Sequence, residues 1–388
     1  MRRINVLIAS NSFKESLSSS EANDSIEKGL RLFEPLSNIN FSFRKKEICD
    51  GGTGFSEILS KSLNGHLEIT KSRNPLMKEI NSHYGVCETK ENVFIEVAQT
   101  AGLALLNREE RNPINTTSFG VGLQIKDSIK KFKPKNIYIG CGDTAINDYG
   151  VGMLTALGVE FLDEKENIID AKTPKDILSI KKINLNKSDS INFLRNNCNV
   201  FICGNLSSII GGKTGTSNVY AKQKGASDED IDILNKVKTH WLKLTKLHFS
   251  ENIEYIPGCG AGGGIGGSAY LFLTARLTYS FEKIFEIINL EKDIIWANLV
   301  LTGEGLLDLN SLKGKAPICV ALHSKKFNKQ VGLIAGSVGD DCSNVMIRAG
   351  VDFVEPLTNS DISVLNYISK AKQLVTQASF RLARKLYN

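Results

Sequence analysis

Long hydrophobic runs, paired cysteines and clustered histidines are all missing from this 388-residue chain. No apolar stretch reaches the ~20 residues needed to cross a bilayer, so a membrane protein is not expected. Met1-Arg2-Arg3 leads only into Val6-Leu7-Ile8-Ala9 and then the polar SNSFKES, too brief a run for a secretory leader; a cytoplasmic protein is expected. The eight cysteines (49, 87, 141, 198, 203, 259, 319 and 342) contain no CxxC pair, and several sit inside apolar runs. They read as reduced, buried small residues rather than a disulfide set or zinc site. Histidines 66, 83, 240, 248 and 323 show no metal-ligand spacing, and no GxSxG elbow is present. No arginine-rich tract is interleaved with aromatics, which argues against nucleic acid as a partner. Internal repeats and Pro/Gly/Ser linkers are also lacking.

What is there describes a globular α/β protein. The chain is 41% apolar and 23% charged, and its length makes two domains the default. The excess of +6 suits a small anionic substrate as well as an ordinary surface. Short apolar runs recur as NVLIAS, NVFIEVA, NIYIGCG, NVFICG, ANLVLTGEG and QVGLIAGSV, with helical patterns after them. This alternation predicts a mostly parallel sheet, whose ligands gather at the carboxyl ends of the strands. Residues 163–190 read as a polar, irregular excursion.

The strand-end loops therefore hold the candidate chemistry. In ICDGGTGF, Asp50 is expected at a strand end, and Gly51 and Gly52 allow close backbone approach to an anion; a capped tight turn explains the same residues. IGCGDTAINDYGVGML gathers Asp143, Thr144, Asn147 and Asp148 among glycines before a helix, a pattern suited to phosphate or polyol. YIPGCGAGGGIGG carries Gly258, Gly260 and Gly263 at dinucleotide-fingerprint spacing, but no acid stands at a convincing ribose position, so it reads as a glycine-rich anion loop. SSIIGGKTG and KGKAP each fail the phosphate-loop consensus. LVLTGEGLLDLNSLKGKAP sets Glu304 and Asp308 past a buried strand with Lys313 and Lys315 nearby: carboxylates for Mg²⁺ or a hydroxyl, lysines for phosphate.

In their order along the chain these motifs resemble those of the type I glycerate kinase family. The family's DSFKES is matched at 11–16, ADGGEGT at 49–55, ARDPLG at 72–76 and EMAxASGLxLL at 96–106. RNPxxTTSxGxG corresponds to 111–122, GIGGSATNDGGxGML to 140–154, QKGA to 223–226, PGAGAAGGLG to 257–266 and TGEGRID to 302–308. The resemblance implies an α/β fold of two domains, one of them Rossmann-like, with the site in the cleft between them. Residues 1–68 and 285–388 would form the discontinuous Rossmann-like domain and 69–284 the inserted one. It also implies transfer of the γ-phosphoryl of ATP, with Mg²⁺, to a hydroxyl of D-glycerate, giving 2-phosphoglycerate; a homodimer is compatible with it. Lys14, Asp50, Asp148, Glu304 and Asp308 become the expected catalytic residues, with Glu304 and Asp308 as Mg²⁺ ligands. Ser12, Gly51, Gly52, Arg73, Asn147, Gly258, Gly260, Gly263 and Lys315 become the expected substrate and nucleotide contacts.

Several positions depart from the family pattern. Asn11, Thr53, Asn74 and Gln99 stand where acids are expected, Asp143 and Tyr149 where glycines are, and Leu306 where an arginine is. The segment 204–211 loses both acids and the proline of its counterpart; Lys14, Glu15, Asp50, Arg73, Glu96, Asn147, Asp148, Glu304 and Asp308 are kept. Two readings follow: an active glycerate kinase, or a weakened homologue that binds a small anion or a partner. A nicotinamide oxidoreductase survives only on glycine spacing.

Overall fold

The computed structural model describes residues 2–13, 16–309, 311–357 and 368–387. Lys14 and Glu15 lie outside the described residues, and so does the side chain of Lys313. The chain divides into two compact units, Met1–Asp50 with Ile284–Asn388, and Gly51–Lys283. Residues 51–68 thus join the second unit, not the first as the sequence pattern suggests. The reason is apolar packing: helix Phe55–Ser62 buries Phe55, Ile58 and Leu59 against strands Glu79–Val86 and Asn92–Glu96, with Phe55 edge-on to Phe94.

The first unit is built on a five-stranded, all-parallel sheet. Its order is Phe353–Pro356, Gln330–Val338, Leu299–Leu307, Arg2–Ile8, Ile39–Lys45. The central strands read as continuous apolar runs because both faces are covered; Val6, Leu7 and Ile8 are fully buried, each worth about 1.5–3 kcal/mol in transfer terms. Helix Ser19–Phe33 starts at a capping box, Ser18 with Glu21. It lies on helix Ala371–Tyr387 so closely that a Cβ at Gly29 would come within 2.3 Å of the Thr376 carbonyl. The first crossover runs from Arg2–Ile8 to one side of the sheet, while Leu299–Leu307 lies on its other side. Between those two strands the sheet has its topological switch point, the place where ligands of such sheets are expected to bind, at the carboxyl ends.

The second unit carries a six-stranded mixed sheet, ordered Arg276–Tyr279, Asn199–Gly204, Asn136–Gly140, Asn92–Glu96, Glu79–Val86, His66–Arg73. The first four strands are parallel and the last two antiparallel. In-register Phe94, Tyr138 and Phe201 stack across three neighbouring strands at 5.4 and 4.9 Å. The segment expected to be irregular is ordered: Glu160–Leu162 pairs with Ile168–Ile169 and Lys182–Asn184 in a small antiparallel sheet. Its polar composition concealed a few apolar anchors, since Ala171, Ile177, Ile180 and Ile183 all reach the main core. No strand precedes Gly258-Cys259-Gly260, so the dinucleotide fingerprint lacks its structural context and the nicotinamide reading falls.

Candidate functional site

At the switch point of the first unit the chain brings together Asn11, Asp50, Glu304, Asp308 and Lys315. The ladder continues past the strand through Asn11 N–H to the Gly303 carbonyl, 3.0 Å. This carries Asn11 to the level of Glu304, which lies inside strand Leu299–Leu307 rather than past it. Asn11 Nδ2 donates to Asp50 Oδ2 at 2.8 Å, and Asn11 Oδ1 accepts the Ser12 N–H at 2.9 Å. Ser12 is half-buried. The other Asp50 oxygen, Oδ1, accepts the N–H of Ala316, the first residue of helix Ala316–Lys325. Asp50 sits five residues beyond strand Ile39–Lys45, so its expected strand-end place is corrected to a helix cap.

Glu304 is 4% exposed. Its Oε2 accepts from Lys315 Nζ at 2.8 Å, and its Oε1 has no hydrogen-bond partner among the described residues. Lys315 Nζ also donates to the Leu306 carbonyl and to Ser311 Oγ, and stands 4.0 Å from Asp308 Oδ1. Burial pushes the Glu304 carboxyl above the usual range; Lys315 opposes the rise and the Asp50 charge adds to it. A buried acceptor with one empty oxygen, raised in basicity and placed near the carboxyl end of a parallel strand, is equipped to take a hydroxyl proton.

The expected Mg²⁺ ligand pair, Glu304 and Asp308, does not fit a metal site of its own. The Lys315 ammonium lies between the two carboxylates, in the position a cation would take. Among the described residues no group of three or more acids, histidines or cysteines is placed to hold a metal ion.

The second unit arranges a different set. Asp148 is fully buried, and its carboxylate accepts from Ser118 N–H, Ser118 Oγ, Gly150 N–H and Gly152 N–H at 2.7–3.2 Å. Burial raises its pKa and those bonds hold it back. With its oxygens so occupied, Asp148, one of the expected catalytic residues, ties the 148–152 turn to Ser118, the residue before helix Phe119–Phe132. Asn147 Nδ2 donates to Ser217 Oγ at 3.1 Å, while its buried Oδ1 has no partner among the described residues. Arg73 is partly exposed and bonds the Met77 carbonyl and Glu79. Gly51, Gly52, Gly258, Gly260 and Gly263 are buried. At Gly263 a Cβ would stand 2.1 Å from the Ile146 carbonyl, so this glycine run serves close packing on the 146–149 loop.

Sequence reasoning missed two features here. Lys224 is 4% exposed and donates to Thr144 Oγ1 at 3.1 Å and the Ile146 carbonyl at 2.6 Å; burial pulls its pKa down to about 8, against the attraction of Asp148. Nothing in AKQKGA separates it from its exposed neighbour Lys222 except its place in the QKGA motif. Thr53 and Asp143, both departures from the family pattern, meet each other: Asp143 Oδ2 accepts from Thr53 N–H and Oγ1 at 3.1 Å.

Known proteins are similar to this chain over nearly their whole lengths. The profile of the Glycerate kinase family matches residues 6–387. The "Glycerate 2-kinase" of Escherichia coli (strain K12) is 32% identical over 381 residues, 98% of this chain and 97% of the relative. The "Glycerate kinase" of Bacillus cereus (strain ATCC 10987 / NRS 248) is 31% identical over 378 residues, 97% of each. The crystal structure of a Salmonella typhimurium LT2 protein provisionally named glycerate kinase 2 superposes with a TM-score of 0.81 at 29% identity, over 99% of this chain and 98% of that one.

Proposed function

Because the chain belongs to the glycerate kinase family, we propose that it transfers the γ-phosphoryl group of ATP to D-glycerate, forming 2-phosphoglycerate. The observation that carries this reading is the unpaired, buried Oε1 of Glu304 at the switch point of a parallel sheet. Glu304 accepts the proton of the attacking hydroxyl, and the oxygen of that hydroxyl bonds to the γ-phosphorus as the bond to the β-γ bridging oxygen breaks, releasing ADP. Little covalent chemistry is asked of the protein, so positioning and charge do most of the work.

Lys14, two residues past Ser12 in the sequence, supplies positive charge for the glycerate carboxylate or a phosphate. Arg73 and Asn147 contribute to nucleotide binding, and the glycine runs shape the backbone around them. Mg²⁺ enters as the counter-ion of ATP. Asp50 acts indirectly, by holding Asn11 and the start of helix Ala316–Lys325 in place.

A coupled assay for ADP with ATP, Mg²⁺ and D-glycerate tests the reading. Turnover is expected, and Glu304→Gln should lower kcat by about 10²- to 10⁴-fold while the protein stays folded. Absence of turnover together with absence of ATP-dependent thermal stabilisation would leave a homologue that has lost the chemistry and binds an anion or partner instead.

A further inference from the structure

We infer that Lys315 is a built-in counter-cation which keeps divalent metal out of the Glu304–Asp308 pair, so that this pair binds no divalent ion before nucleotide arrives. Glu304 is also the base of the proposed reaction, but the inference stands on geometry alone and holds whether or not glycerate is phosphorylated.

Three observations carry it. The ammonium is within 2.8 Å of one carboxylate and 4.0 Å of the other, separations at which it attracts both and offsets one of their two charges. Its position is fixed by two further acceptors, the Leu306 carbonyl at 3.1 Å and Ser311 Oγ at 3.2 Å, which leave the amine no spare donor. The backbone at Lys315 is fixed as well. It is the N-cap of helix Ala316–Lys325, whose first N–H is held by Asp50.

A Mg²⁺ ion at this pair would have to displace an ammonium tied to three oxygens. It would also have to shed part of a tightly held water shell for one or two protein carboxylates. Tethering gives the lysine an advantage that a free ion lacks, because its entropy of localisation is already lost in folding. The unpaired Glu304 Oε1 is then left for a hydrogen-bond donor, such as a substrate hydroxyl, rather than for a metal. If the chain is a kinase, its rate should follow the concentration of the Mg²⁺–ATP complex, with no further activation by free Mg²⁺.

Mn²⁺ binding to the nucleotide-free full chain, followed by the electron paramagnetic resonance signal of the free ion, tests the inference. Wild type should leave the signal unchanged. Lys315→Met, which removes the charge and keeps the volume, should take up about one equivalent, and the double variant Lys315→Met/Glu304→Gln should lose that uptake. Mn²⁺ binding by wild type that Glu304→Gln abolishes would overturn the inference, as would a folded Lys315→Met that binds none. Should Lys315→Met fail to fold, the comparison of wild type with Glu304→Gln decides alone.

Discussion

Asn11 holds the carboxylate of Asp50 through a 2.8 Å hydrogen bond, and the same carboxylate receives the first N–H of helix Ala316–Lys325. An amide beside a carboxylate makes this arrangement self-sufficient, since each Asp50 oxygen has a donor. Returning an acid to position 11 sets two carboxylates against each other. Asn11→Asp is expected to cost about 1–3 kcal/mol at neutral pH, the range for a lost charged hydrogen bond with an unpaired group in its place. The sign with pH follows from linkage. The native pKa of the new acid lies above its unfolded value, so its penalty is present at neutral pH and is relieved as pH falls through that raised pKa. Thermal melts of wild type and variant should therefore diverge at pH 7 and converge at about pH 4; melts that stay parallel would rule the repulsion out.

The Glu304–Lys315 pair makes a separate prediction about rate. Burial raises the Glu304 pKa and Lys315 is the largest influence lowering it. As a base, Glu304 must be ionised, so kcat/KM should fall on the acid side as pH drops through its raised pKa. Lys315→Met removes the lowering influence and should move that acid limb to higher pH. A limb that stays in place would mean that another group controls it.

How much of this was legible beforehand depended on burial. Each of the six apolar runs became a strand, because strands covered on both faces must be apolar throughout. His66–Arg73 and Glu79–Val86 were not singled out, since an exposed edge pair carries polar residues along much of its length. Glu304 could be picked out by its setting between two glycines at the end of an apolar run. Its pairing with Lys315 could not, because sequence spacing does not reveal whether a lysine meets a phosphate or an acid. The bonds of Asp148 were hidden for a related reason: a carboxylate in a glycine-rich loop looks the same whether it faces a ligand or gathers backbone N–H groups.

Lys224 offers a test of what burial does to a cation. Its native pKa is drawn down from 10.5 to about 8. Below pH 8 both folded and unfolded chains hold the proton, and the cost of burying the charge is fully present. Between about 8 and 10.5 the unfolded chain keeps the proton that the native state gives up, so stability rises with pH. The gain is bounded by about 3–4 kcal/mol, at about 1.4 kcal/mol for each pH step between the native and unfolded pKa values. Urea denaturation at pH 7.5 and pH 10 should show wild type gaining on Lys224→Met between the two. An unchanged difference would mean that Lys224 keeps an ordinary pKa in the fold.

Tyr149 is fully buried where the family pattern has glycine, at a φ of 52°, so its side chain must offset a strained backbone. Its hydroxyl lies 2.8 Å from Ser217 Oγ, which also accepts from Asn147 Nδ2. Removing the hydroxyl alone, in Tyr149→Phe, should cost about 1–2 kcal/mol, as expected for a buried hydrogen bond left half made. Tyr149→Gly acts in both directions. It relieves about 1 kcal/mol or more of left-handed strain, but it empties a space filled by an aromatic ring, which typically costs about 3–5 kcal/mol. The cavity outweighs the strain, so the glycine variant should be the less stable of the two despite its easier backbone. Urea denaturation of the two variants gives the order directly. A Tyr149→Gly protein as stable as wild type would show that the ring does not hold the 146–149 loop, and that strain at this position is the larger effect.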